Sequence, residues 1–216
     1  MIKAVIYDLD GTLIDSLEDI KDAINDALKQ ANVPFKYTYE EVKYLIGNGA
    51  DILIHRALKE FDEPNLFANV KSIYMPLYEE YQLKHTKPFN GILDMLLSLQ
   101  KHGLKAYICS NKPDLLAKAI VEHCFGNFAF DGVYGNVSNI PVKPNPYFPN
   151  KICDDSRLSK DEVLFCGDSH VDIETAHNAG MKCVLCKWGY DFYEPELVSK
   201  SDFAISTPKE IIPYCF

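Results

Sequence analysis

Long apolar runs are missing from this 216-residue chain. None reaches the roughly 18 residues that a spanning helix needs, so no membrane segment is expected. Basic residues are in short supply: 22 Lys and Arg stand against 31 Asp and Glu, a formal charge of −9. Nucleic acid needs a basic stripe, so it is not an expected partner. The same deficit means that an anionic ligand must be drawn in by local positive groups, against the overall field. No leader precedes the first strand-like run, which follows Met1 directly, so no signal peptide is expected. Repeats and low-complexity segments are absent too. The seven cysteines are odd in number and sit in mostly apolar contexts, which suits reduced thiols and a cytoplasmic location. Cys183 and Cys186 have C-x-x-C spacing, but strand positions i and i+3 face opposite ways. Neither a redox pair nor a zinc site is expected there.

Apolar residues make up 47% of the chain, enough for a full core. Ala4 to Tyr7 is a short, wholly apolar run, the pattern of a strand buried on both faces. It ends in Asp8, Asp10, Gly11 and Thr12. Two carboxylates this close repel, so one should hold a proton unless a cation intervenes. All-oxygen ligands suit magnesium. A plain strand-ending turn with solvated acids is the competing account of this stretch alone.

Beyond Leu13 the pattern turns helical. Ser16-Leu-Glu-Asp19 resembles a capping box and opens a helix carrying Leu17, Ile20, Ile24 and Leu28. Further helices are expected from Thr38 to Ile46, after Gly49, and over about 65–83, where Pro76 should kink the chain. The Tyr74, Tyr78, Tyr81 stripe reads as packing. Strand–helix alternation then begins. Strands are expected over Leu104–Cys109, weakly over Val133–Gly135, over Glu162–Cys166, and last over Lys182–Cys186, with helices between them. This alternation implies a doubly wound parallel sheet of the α/β class. Residues 14–86 read as an all-helical domain inserted into an α/β core of 1–13 and 87–216.

In open α/β sheets ligands bind outside the carboxyl ends of the strands. Asp8 and Asp10 close the first apolar segment, Ser110 the second and Asp168 the fourth, while Lys143 lies a loop beyond the weak third. Each has a dull local explanation, such as a cap, a turn or a solvated lysine. Together they amount to three carboxylates, a hydroxyl and an ammonium, a set suited to a magnesium ion and a phosphate.

Asp8-Leu-Asp10-Gly-Thr12, Ser110-Asn111-Lys112, Lys143-Pro144 and Gly167-Asp168-Ser-x-x-Asp172 resemble the four motifs of the haloacid dehalogenase-like (HAD) hydrolase superfamily. The helical insertion resembles that family's cap domain, and the core its Rossmann-like sheet. Ile46-Gly-Asn-Gly-Ala-Asp51 through Leu58 looks most like the phosphoglycolate phosphatases. The chain departs from the pattern at Pro146-Tyr147, where Pro-Asp is common, and at His170-Val171.

The resemblance implies a Mg2+-dependent phosphatase acting on a small phosphate monoester, 2-phosphoglycolate first among them, through an aspartyl-phosphate. Asp8 would be the nucleophile and Asp10 the general acid and base. Asp8, the Asp10 carbonyl and Asp168 would hold the metal, with Asp172 orienting the site. Lys143, Ser110 and the 9–12 amides would bind the phosphoryl oxygens, with Thr12 and Asn111 also counted as substrate contacts. Gly47, Asn48, Gly49 and Arg56 of the cap would choose the substrate, Arg56 by pairing with a carboxylate. A sugar phosphomutase of the beta-phosphoglucomutase type is the alternative, although the Arg and Ser pair usual in the mutase cap loop is not found around 47–53. Asp10 argues against a dehalogenase. A monomer or homodimer is expected.

Overall fold

The computed structural model describes residues 1–191 and 195–216. In chain order the first elements are β1 (Ala4–Tyr7), β2 (Ile14–Asp15), α1 (Leu17–Gln30), α2 (Tyr39–Val42), α3 (Ala50–Leu58) and α4 (Pro64–Tyr81). Next come β3 (Lys87–Pro88), α5 (Ile92–Lys101), β4 (Lys105–Pro113), α6 (Asp114–Phe125), β5 (Gly132–Asn136) and α7 (Tyr147–Ser156). The chain closes with β6 (Val163–Gly167), α8 (His170–Asn178), β7 (Lys182–Cys186), α9 (Pro195–Lys200), β8 (Phe203–Ile205) and α10 (Ile212–Cys215). Two compact units result, one of residues 1–14 and 88–216, the other of residues 15–87. No helix among the described residues is long and apolar enough to cross a membrane.

The larger unit is a six-stranded sheet in the order β5-β4-β1-β6-β7-β8, with every pairing parallel. Strand β1 is buried throughout because it is central and covered on both faces. Its side chains alternate between two cores. Val5 and Tyr7 join Leu96 and Leu99 of α5 and Ile120 and Phe125 of α6. Ala4 and Ile6 join Phe148 and Ile152 of α7 and Ile173 and Ala176 of α8. This is the doubly wound α/β class. The chain builds β4 and β5 on one side of β1, then crosses to build β6, β7 and β8 on the other. The order therefore reverses at β1, and the carboxyl ends of β1, β4 and β6 flank the crevice where such sheets bind ligands.

Cys183 faces one core and Cys186 the other, as strand alternation requires. All seven cysteines are free thiols.

Several local expectations change. Strand β4 does not stop at Cys109; it runs to Pro113 through a register shift against β5. Strand β8 was not expected; its three residues are too few for a periodic signal, and only pairing with β7 defines it. In the smaller unit, α2 is a single turn with a full Thr38/Glu41 capping box. Helix α4 continues through Pro76. Tyr74 and Tyr78 are buried with stacked rings, and the Tyr81 hydroxyl donates to Asp26.

The capping box at Ser16 does not form: Ser16 makes no side-chain cap bond. Asp19 is used elsewhere. Its carboxylate, 1% exposed, accepts from the His85 N–H at 3.0 Å, the Thr86 N–H at 2.9 Å and the Thr86 hydroxyl at 2.7 Å. A long-range partner has displaced the local one, pinning the end of the helical unit to its first helix. Asp19→Ala would leave these buried donors unsatisfied, and we expect it to cost roughly 2–4 kcal/mol. Urea unfolding checks this; a loss under about 0.5 kcal/mol would mean water replaces the carboxylate.

Candidate active site

The site lies wholly within the larger unit. Where β1 ends, the Asp8 N–H still donates to the Cys166 carbonyl at 2.8 Å, so Asp8 continues the ladder beside β6. The chain then folds into a tight turn in which the Thr12, Leu13 and Ile14 N–H groups converge on the Leu9 carbonyl. Gly11 sits at φ +86°, and a Cβ there would lie 2.4 Å from Asp168 Oδ2. The glycine permits both the turn and the approach of β6's terminal carboxylate. Two other glycines act likewise. A Cβ on Gly167 would lie 2.2 Å from the Asp172 Cβ, and one on Gly189 2.2 Å from the Asp168 Cβ.

Asp8, Asp168 and Asp172 are buried, each offering an oxygen within 4.8 Å of the others. Lys143 Nζ lies 2.7 Å from Asp8 Oδ1 and 2.7 Å from Asp172 Oδ1. Lys112 Nζ lies 2.9 Å from each oxygen of Asp10. Four carboxylates thus face two ammonium groups, a formal surplus of two negative charges. Burial pushes the Asp8 carboxyl up to about 7 against the pull of Lys143, with Asp172 and Asp10 adding to the rise. Burial, then Asp172 and Asp8, push Asp168 well above the ordinary carboxylate range. Burial works against the Lys143 charge, but Asp172 and Asp8 overcome it and hold the ammonium above its usual range. With all four carboxylates ionised, one divalent cation would balance that surplus, and the carboxylate oxygens are donors of the kind a hard cation takes.

The other expected residues are placed as follows. The Thr12 hydroxyl donates to Asp168 Oδ1 at 2.9 Å, so it steadies a carboxylate. The Gly11 and Thr12 N–H groups bond to Ile14 and Leu9 carbonyls inside the turn. Ser110 Oγ accepts from the Lys112 N–H at 3.2 Å, leaving its own O–H to donate. Asn111 clasps the Lys143 peptide: its Nδ2 donates to the Lys143 carbonyl at 3.1 Å, and its Oδ1 accepts from the Lys143 N–H at 2.8 Å. Asp172 Oδ2 takes the Ser169 N–H and hydroxyl. His170 opens α8 half exposed and pairs with Asp191. That hydrogen bond outweighs burial and raises the imidazole above its ordinary value.

In the helical unit, Gly47 and Gly49 adopt positive φ. The Arg56 guanidinium donates to the Ile46 carbonyl at 2.7 Å, to the Leu45 and Tyr44 carbonyls, and to Asn48 Oδ1 at 3.1 Å. It holds the loop that precedes α3.

Sequence reading missed two contributors. Lys112 was quoted within its motif but given no role, though strand alternation puts it on the side of Ser110. The other is the loop after β7. There the Tyr190 N–H donates to Asp168 Oδ2 at 2.8 Å and the Trp188 indole donates to the Thr12 carbonyl at 3.0 Å. Its place beyond the strand beside β6 was the available signal.

A family profile described as haloacid dehalogenase-like hydrolase matches residues 5–186. A phosphoglycolate phosphatase of Aliivibrio fischeri is 32% identical over 93% of this chain and 91% of its own. One from Vibrio cholerae serotype O1 is 32% identical over 98% and 97%. The crystal structure of a predicted phosphoglycolate phosphatase from Haemophilus somnus 129PT superposes with a TM-score of 0.91 at 30% identity, covering 100% of this chain and 98% of that one.

The strap at 188–190 can be tested without turnover. In Gly189→Ala the new Cβ must displace Asp168. Asp168 is a metal ligand in the expectation from sequence, and losing a group that orients such a ligand commonly costs 10–100-fold in metal affinity. We expect the Mg2+ dissociation constant, read by calorimetry, to rise at least about tenfold with folding intact. An unchanged constant would mean that Asp168 does not depend on this strap.

Proposed function

The chain belongs to the haloacid dehalogenase-like hydrolases, and from that premise we propose that it is a magnesium-dependent phosphatase with 2-phosphoglycolate as its substrate. One observation carries the reading: a buried carboxylate, Asp8, held 2.7 Å from the Lys143 ammonium inside a cluster that lacks two positive charges. A phosphate dianion cannot approach that cluster unaided. Asp8, Asp168 and the Asp10 backbone carbonyl would hold the metal, and Asp172 would keep Lys143 and the cluster in place. Bound magnesium would neutralise the surplus charge and the incoming phosphate.

In the proposed reaction a free oxygen of Asp8 attacks phosphorus as the ester P–O bond breaks. Asp10 gives its proton to the leaving alkoxide. Water then attacks the aspartyl-phosphate, its proton passes to Asp10, and inorganic phosphate leaves with Asp8 restored. Lys143 and the Ser110 hydroxyl stabilise the charge spread over the transferring oxygens, the larger part of catalysis in phosphoryl transfer.

We assign substrate choice to the helical unit, residues 15–87, as a cap. Within it Arg56 acts by shaping the 44–48 loop through the bonds described above, in place of the direct carboxylate pair expected from sequence. The backbone amides of Gly47, Asn48 and Gly49 then remain the recognition elements for an anionic group.

Phosphate release from 2-phosphoglycolate and from p-nitrophenyl phosphate, with and without magnesium, tests the activity. Interconversion of hexose phosphates without phosphate release would favour the mutase. Asp8→Asn should reduce hydrolysis by at least about a thousandfold, as losses of single nucleophiles do. The fold should survive, because Lys143 keeps its bond to Asp172. More than about a tenth of the activity remaining would remove Asp8 as nucleophile. Arg56→Ala should raise KM for 2-phosphoglycolate more than for p-nitrophenyl phosphate, which has no carboxylate. Matched changes would make the loop purely structural.

A further inference from the structure

The ion pair between Lys112 and Asp10 enters the charge balance of the site, but charge balance alone does not require its geometry. Lys112 Nζ meets both Asp10 oxygens at 2.9 Å, an end-on grip that fixes the plane of the carboxylate. The Lys112 side chain is 4% exposed and that of Asp10 is 21% exposed. The lysine therefore approaches from the buried side, and the carboxylate keeps part of its surface exposed. The Lys112 backbone is anchored as well: it lies in β4, and its N–H donates to Ser110 Oγ. A buried ammonium is retained only with a partner, so the pair is self-enforcing.

We propose that Lys112 is the positioning residue for Asp10, aiming its carboxyl at the leaving-group oxygen. The inference rests on the phosphatase reading, in which Asp10 moves the proton. Lys112 itself transfers none. In the first half-reaction the Asp8–phosphorus bond forms, the ester P–O bond breaks, and the Asp10 proton ends on the departing oxygen. In the second, the water O–P bond forms, the Asp8–phosphorus bond breaks, and the water proton ends on Asp10. An aim lost by about an ångström at such a step can cost on the order of a hundredfold.

The leaving group separates this role from general structural support. The p-nitrophenolate ion departs without a proton, whereas the alkoxide of 2-phosphoglycolate needs one. Lys112→Met should lower kcat/KM for 2-phosphoglycolate by at least about tenfold while changing that for p-nitrophenyl phosphate less than about threefold, a split within the usual range of general acid catalysis. Lys112→Gln provides the same comparison should the methionine variant fold poorly, and circular dichroism monitors both. Equal losses on the two esters in either folded variant would overturn the positioning role and leave the phosphatase reading intact. A wild-type protein that hydrolyses neither ester with magnesium present would overturn both.

Discussion

The Lys143 ammonium, buried between Asp8 and Asp172, is the interaction on which the rest of the site depends. Three carboxylates cannot share a buried space as anions without compensation. Lys143 supplies it at 2.7 Å to two of them, and both the strand ends and the loop are arranged to keep it there. Asn111 clasps its peptide from β4, so the lysine is fixed at the backbone as well as at its tip. Asp172 is fixed in turn by Ser169 and by contact with Gly167. The chain crosses the sheet from β5 to β6 to bring these parts together.

Close approach needs absent atoms as much as present ones. Asp168 lies between Gly11 and Gly189, and any side chain at either would overlap it. The Thr12 hydroxyl and the Tyr190 N–H then take one oxygen each. The carboxylate is oriented by a turn at the start of the chain and a strap near its end, 178 positions apart in number by residues 12 and 190 but joined by the parallel order of β1, β6 and β7. Sheet topology thus brings both donors to the two oxygens of one carboxylate.

Much of this was legible because the signals were local. Apolar runs marked β1, β4, β6 and β7, and polar residues at the ends of β1, β4 and β6 marked the crevice. At other positions the structure shows a distant partner that the sequence does not reveal. Asp19 reads as half of a capping box but serves His85 and Thr86. Thr12 and Asn111 read as substrate contacts, yet their side chains bond to Asp168 and to the Lys143 peptide. Arg56 reads as the partner of a substrate carboxylate, and within the chain it holds the carbonyls of 44–46. In each case the residue type was informative about chemistry and silent about the partner, because the partner is set by packing between elements. Strand β8 was invisible for a related reason: its existence depends on β7 beside it.

The second motif illustrates how a strand divides such work. Successive strand residues face opposite ways, and the extension of β4 past Cys109 carries this alternation into the site. Asn111 turns to the Lys143 peptide, while Ser110 and Lys112 turn the other way and touch each other. Lys112 continues to Asp10. One strand end therefore governs both ammonium groups, one through its backbone and one by carrying it. The register shift against β5 is what allows the strand to continue to Pro113 while still pairing at Asn136. Asp8 and Asp10, two residues apart in the chain, thus take different charge partners, Lys143 and Lys112.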